Sequence, residues 1–221
     1  VIQANETCPK TKEFKSAYFG VGGLSPYQQI TTSKFGCSNS VLSYLRHDYF
    51  LMSQEGEKYA HSTDRTNYGM GWPVIMHQLN TALLVVNRGT HFVDDDIAIP
   101  ELNATLNAIR AKHGNKISII FRSTAPGHTD FNEKRYSPPL KNASEAVLKS
   151  FSWAKYENQN RLARALIHKY HENVLYLDVY PSMVLRADGH ATEDGLHYCL
   201  PGPIDQWVVF LYNVLNLLEK V

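Results

Sequence analysis

Ile117-Ser118-Ile119-Ile120-Phe121, followed at once by Arg122-Ser123-Thr124-Ala125-Pro126-Gly127-His128, is a short apolar run that breaks into a polar loop containing Pro and Gly. A run of this kind, rich in β-branched residues and flanked by turn formers, reads as a buried strand. Three more runs share the form: Val41 to Met52, Thr81 to Val86 and Val174 to Val179, each bounded by Gly, Asn, Asp or charged clusters. Between them lie helical patterns. Pro100 to Lys112 opens with an acidic first turn, Ala143 to His171 is a long amphipathic run, and Pro203 to Glu219 closes the chain. Strand then helix, repeated, predicts an α/β fold with a mainly parallel sheet covered by helices on both faces.

The chain has 221 residues, 43% of them hydrophobic, which is enough for one sizeable core. No internal repeat or low-complexity tract divides it, so residues 1–221 are expected to form a single domain. Its 22 basic and 21 acidic residues leave a net charge of +1, with a pI near 7.9, and so no electrostatic draw toward nucleic acid or an anionic membrane. Mean hydropathy is -0.32. No stretch reaches the roughly 18 apolar residues that a membrane span requires. The sequence opens at Val1 with no charged-then-apolar leader, and it is expected to begin after a removed segment.

Three sequons, at Asn5, Asn103 and Asn142, are candidate glycan acceptors and point to a secretory lumen, Golgi or extracellular. The three cysteines, Cys8, Cys37 and Cys199, are too far apart for a zinc knuckle. In an oxidising compartment they favour one disulfide and one thiol left over, able to pair with another polypeptide; the alternative is three free thiols.

In parallel sheets the reacting groups collect on loops beyond the carboxyl ends of the strands. That rule selects Asn87 to His91, Arg122 to His128, and Asp178 to His197. The third loop holds Asp194-Gly195-Leu196-His197. Residues three apart on one helical turn share a face, so the Asp194 carboxylate is expected to hold Nδ1–H of His197 and leave Nε2 free as a base. Such a pair suits a hydroxyl nucleophile, because the carboxylate fixes the tautomer and stabilises the imidazolium. A surface ion pair is the plain alternative.

Beyond His197 the sequence continues Tyr198-Cys199-Leu200-Pro201-Gly202, then Asp205 and Trp207. This resembles the signature of the PC-esterase family, the trichome-birefringence-like group of polysaccharide O-acetyltransferases. Three further blocks match in order: LLVVNRGTHF at 83–92, IIFRSTAPGH at 119–128 and LRADGH at 185–190. The resemblance implies an SGNH-hydrolase-like, flavodoxin-like α/β/α sandwich, here the C-terminal portion and lacking its first strand. It implies Asp194 and His197 as acid and base of a Ser-His-Asp triad, and Asn87 beside Gly89 as oxyanion donors. Arg122 is implied to face the substrate, and Asp188 and His190 to fix the fold around the pair. A turn-capping role for Asn87 and an ion pair for Arg122 are the bland alternatives.

The family's Gly-Asp-Ser block occurs nowhere in the sequence, and Gly22-Gly23-Leu24-Ser25 imitates it poorly. The serine is expected upstream of Val1 or on a second polypeptide from the same precursor, perhaps disulfide-linked. The implied activity is an O-acetyltransferase or acetylesterase acting on a glycan; the alternative is an inactive glycan-binding or structural subunit. Trp72, in a loop, is the candidate for stacking on sugar, and Trp207 reads as core. The ten histidines include no pair spaced with a third ligand, so neither metal nor cofactor is expected. A lipase of the α/β-hydrolase type lacks its G-x-S-x-G elbow here.

Overall fold

The computed structural model describes residues 14–17, 30–34, 41–45, 80–88, 94–191 and 194–218, in two compact units, Val1–Asn80 and Thr81–Val221. In the first unit β1 (Phe14–Ala17), β2 (Ile30–Lys34) and β3 (Val41–Leu45) form a sheet in that order, antiparallel throughout. The run at Val41 is therefore a strand, as expected, but it is not part of a parallel sheet. Only residues 35–40 separate β2 from β3, too few for the crossover that parallel neighbours need, so the chain turns back on itself.

The second unit carries β4 (Leu83–Val86), α1 (Asp95–His113), β5 (Ser118–Arg122), α2 (Phe131–Lys134), α3 (Tyr156–Tyr170), β6 (Val174–Leu177), α4 (Tyr180–Met183) and α5 (Asp205–Leu218). The strands lie in the order β4-β5-β6, all parallel, with Val85 opposite Ile120 and Ile120 opposite Leu175. Helices α1 and α3 supply the two crossovers and pack on each other. The middle strand shows why the apolar run is continuous: Ile119, Ile120 and Phe121 are all buried, because both faces of the sheet are covered.

On one face Ile120 and Leu177 join Val179 and Met183 in a core covered by Trp207, Phe210, Leu211, Val214 and Leu215 of α5. That i, i+3, i+4 spacing is the apolar stripe of a surface helix. Each fully buried side chain there contributes roughly 1.5–3 kcal/mol. On the other face the rings of Phe121 and Tyr176 stack at 5.8 Å, and the Tyr176 hydroxyl donates to the Asn160 carbonyl of α3 at 2.9 Å. The result is helix, parallel sheet, helix, an α/β/α arrangement.

Two helical expectations shift. Helix α1 starts at Asp95, five residues before Pro100, because Asp94 to Asp96 provide the acidic first turn and the Asp94 carbonyl accepts from the N–H groups of Ile97 and Ala98. The run from Ala143 is not one helix. Thr129 binds it instead, its N–H donating to the Val147 carbonyl at 2.7 Å and its hydroxyl accepting from the Lys149 N–H at 3.0 Å. Phe151 and Ser152 then take left-handed φ values of 48° and 61°, and α3 begins only at Tyr156. Tertiary hydrogen bonding overrides the amphipathic period. Among the described residues no helix is long and apolar enough to cross a membrane.

Candidate active site

The parallel sheet delivers Asn87, Arg122–His128 and the segment from Asp178 onward to the same edge, where all three strands end. After β6 the chain makes α4 and a 3-10 turn at Ala187–Gly189, and residues 189–191 then pair with 197–199. His190 bridges antiparallel to Tyr198, the Ala191 N–H donates to the His197 carbonyl at 2.7 Å, and the Cys199 N–H donates to Gly189 at 2.9 Å. Asp194 to His197 lie within this closed loop.

Asp194 and His197 meet as expected, His197 Nδ1 donating to Asp194 Oδ2 at 2.6 Å. The geometry is not a helical turn, however. Asp194 Oδ1 accepts from the N–H groups of Leu196 at 2.8 Å and His197 at 2.7 Å, an aspartate-led turn that bends the backbone around the carboxylate. One oxygen thus shapes the loop and the other orients the imidazole. Partial burial acts to raise the Asp194 pKa, but hydrogen bonds from the His197 N–H, the His197 ring and the Leu196 N–H outweigh it. With the His197 charge they hold the carboxyl down at about 2. The His197 side chain is 74% exposed, and among the described residues nothing hydrogen-bonds its Nε2. That nitrogen is open to a reacting hydroxyl.

The loop is pinned from below. The His128 N–H donates to the Gly195 carbonyl at 2.7 Å, and the half-buried Tyr198 hydroxyl donates to the Pro126 carbonyl at 2.8 Å. Burial pushes the Tyr198 pKa up, so this bond keeps its proton. Arg186 grips Asp188 with two bonds of 2.9 and 2.8 Å, and His190 is buried against His128.

The other residues singled out in the sequence are placed differently. Asn87 gives one amide hydrogen to the Arg122 carbonyl at 2.8 Å and the other to Thr124 Oγ1 at 3.0 Å, fastening the end of β4 to the loop after β5. This is the strand-capping arrangement. The Arg122 guanidinium lies over the Trp207 ring, 4.4 Å from its centroid, and Nη1 donates to the Ser123 carbonyl. It is packed against α5 by cation–π attraction. Among the described residues none of the hydrogen bonds of Asp194 or His197 reaches Asn87 or Arg122. Gly89, Trp72, Ser25, Asn5, Cys8 and Cys37 lie outside the described residues.

Ser123 has a role that its sequence neighbours do not signal. It is fully buried, donates to Asp178 and accepts from the N–H groups of Val179 and Tyr180, so it ties the ends of β5 and β6 together. The sequence is equally silent on His128, because its partners come from segments 56 and 62 residues away. Among the sequons, Asn142 is exposed and, among the described residues, bonded only to Ser144 and Glu145. Asn103 is half-buried in α1 and receives the buried His171 Nε2 at 2.8 Å. Cys199 is an exposed free thiol.

Residues 98–214 match the model of PC-Esterase, the GDSL/SGNH-like acyl-esterase family found in Pmr5 and Cas1p. Protein trichome birefringence-like 25 of Arabidopsis thaliana is 23% identical over 216 residues, covering 80% of this chain and 44% of the relative. Protein trichome birefringence-like 20 of Arabidopsis thaliana is 41% identical over 57 residues, 20% of this chain and 12% of the relative. The chain thus spans less than half the length of these curated relatives. A solved structure, "The structure of a putative platelet activating factor from Streptococcus pneumonia", superposes with a TM-score of 0.45 at 17% identity, covering 69% of this chain and 74% of the other.

Proposed function

Because the chain belongs to the PC-esterase family, we propose that it is a carbohydrate-directed acyl-ester enzyme, an O-acetyltransferase or acetylesterase, whose acid and base are Asp194 and His197. The observation that carries this reading is the 2.6 Å contact that orients the imidazole and leaves Nε2 open, within the matched region. In the proposed cycle a serine of a Gly-Asp-Ser segment, from outside this sequence, gives its proton to His197 Nε2 as its oxygen attacks the acyl carbonyl. The tetrahedral intermediate collapses, the leaving alkoxide takes the proton from His197, and an acyl-serine remains. Water or a sugar hydroxyl then repeats the sequence in reverse, its proton passing to His197 and on to the serine oxygen. The negative oxygen of each intermediate needs neutral donors. Asn87 joins them only by exchanging its Thr124 bond for the substrate oxygen, so backbone N–H groups carry most of that role.

The same reading places the protein in a secretory lumen or outside the cell, with Asn142 as a glycan acceptor. The exposed Cys199 is then available for a disulfide to the polypeptide that brings the serine. Release of acetate from an acetylated oligosaccharide by the full-length protein, measured with and without an unacetylated acceptor, tests the activity. Free acetate identifies an esterase and acetylated acceptor a transferase. Neither product, with the serine-bearing segment present, means a glycan-binding subunit instead. For the location, Asn142→Gln is expected to remove one glycan mass from the secreted protein, and an unchanged intact mass overturns the assignment.

A further inference from the structure

Two buried histidines tie down the loop that holds the acid and base, and the proposed chemistry uses neither. His128 follows β5 and His190 stands at the base of the closed loop, 0% and 2% exposed, with His128 Nδ1 2.7 Å from His190 Nε2. The outer nitrogens face backbone carbonyls. His128 Nε2 is 2.8 Å from the Val184 oxygen, and His190 Nδ1 is 3.3 Å from the His197 oxygen. A carbonyl only accepts, and the contact between nitrogens needs one hydrogen, so three contacts require three protons. Two neutral imidazoles carry two. The short contact to Val184 puts one proton on His128 Nε2, so Nδ1 of that ring accepts from His190 Nε2–H. His190 Nδ1 is then bare against the His197 carbonyl, which fits its being the longest of the three contacts.

The surroundings hold the pair at two protons. Burial lowers the pKa of both rings and takes His190 to about 4, with repulsion from His128 adding to it. Backbone contacts to Val184 and His197 and the charges of Asp130, Asp188 and Asp194 oppose this without overcoming it. The other groups facing the pair are the Tyr198 ring stacked 4.1 Å from His190, the Phe131 ring, and the Cys199 thiol on the His190 carbonyl.

We propose that His128 and His190 are positioning residues for Asp194 and His197: a clasp of two rings sharing two protons that sets where the catalytic loop sits on the loop after β5. His128 grips the loop twice, through its ring at His190 and through its N–H at the Gly195 carbonyl, so both sides of the aspartate are held. The functional consequence rests on the acyl-ester reading; the clasp itself does not. Because His190 is held below the ordinary histidine value, the unfolded chain takes up its proton first as pH falls below about 6.5. The stability that the neutral clasp contributes is therefore lost between about pH 6.5 and about pH 4.

Side-chain proton–nitrogen correlation spectra of the full-length protein read the tautomers directly. At pH 7 both rings are expected as neutral Nε2–H forms. A His190 Nδ1–H tautomer, or a doubly protonated ring, overturns the two-proton clasp. In turnover, His190→Leu removes the donor to His128 and is expected to lower kcat about 100-fold with KM within about twofold. His190→Gln donates from the same place and is expected to restore most of that loss; equal loss in both variants, or none in either, rejects the positioning role. If the wild type turns over no acyl ester, the acyl-ester reading fails and the clasp is judged by spectra alone. The His197 Nδ1 proton bonded to Asp194 must then shift in His190→Leu and stay in place in His190→Gln; no shift in the Leu variant rejects positioning.

Discussion

His197→Ala is expected to lower kcat of the full-length protein by about three to four orders of magnitude while leaving its melting temperature almost unchanged. The two effects separate because the imidazole is 74% exposed and, among the described residues, its ring is bound only through Nδ1, to Asp194. No core contact leaves with it, and the turn is shaped by backbone N–H groups on Asp194 Oδ1, which alanine keeps. Asp194→Asn is expected to cost nearly as much activity by another route. An amide at the Oδ2 place donates where a carboxylate accepted, so His197 must present its Nδ1 lone pair and place its proton on Nε2, the wrong tautomer for a base. The two losses then do not add, since either change disables one unit. An acid limb in kcat/KM does not come from Asp194 above pH 4, because its carboxyl is held at about 2. Turnover of His197→Ala within tenfold of wild type removes His197 as the base, whatever the fate of the other variants.

The parts of this arrangement legible in the sequence are those decided locally. The runs that became β4, β5 and β6 were visible because each is apolar and ends in turn residues, most clearly β5, which is buried on both faces. The pairing of Asp194 with His197 was legible for a similar reason, as three residues of separation suffice for contact. The kind of turn was not, because Asp194 serves its own backbone as well as the imidazole, and periodicity carries no trace of that second duty. Pro100 read as the first residue of a helix, whereas the acidic turn at Asp94 to Asp96 captured the start. The segment from Ala143 has an amphipathic period, yet Thr129 competes for its backbone. Asn87 shows the limit most clearly. An amide at a strand end suits an oxyanion or a cap equally well by sequence, and only its partners 35 and 37 residues away decide where its hydrogens go.

Gly195→Ala is expected to be the most damaging conservative change in the loop, with a loss of about 3 kcal/mol in stability and about 100-fold in kcat. A Cβ at this position would lie 2.0 Å from the His128 carbonyl oxygen and 2.9 Å from Phe131 Cδ1. The first of these is backbone, so no side-chain rotation relieves it. The segments are drawn together by the 2.7 Å bond from the His128 N–H to the Gly195 carbonyl, and a methyl group there must push them apart, carrying Asp194 and His197 away from the loop after β5. Gly114→Ala provides the contrast. Gly114 has a left-handed φ of 58° but no atom within 4 Å of an added Cβ, so alanine there is expected to cost about 1 kcal/mol of backbone strain and no activity. Thermal unfolding and turnover measured on both variants separate the two causes. If Gly195→Ala unfolds and turns over like Gly114→Ala, close contact between the two loops does not hold the catalytic pair in place, and its position must be set by the aspartate-led turn alone.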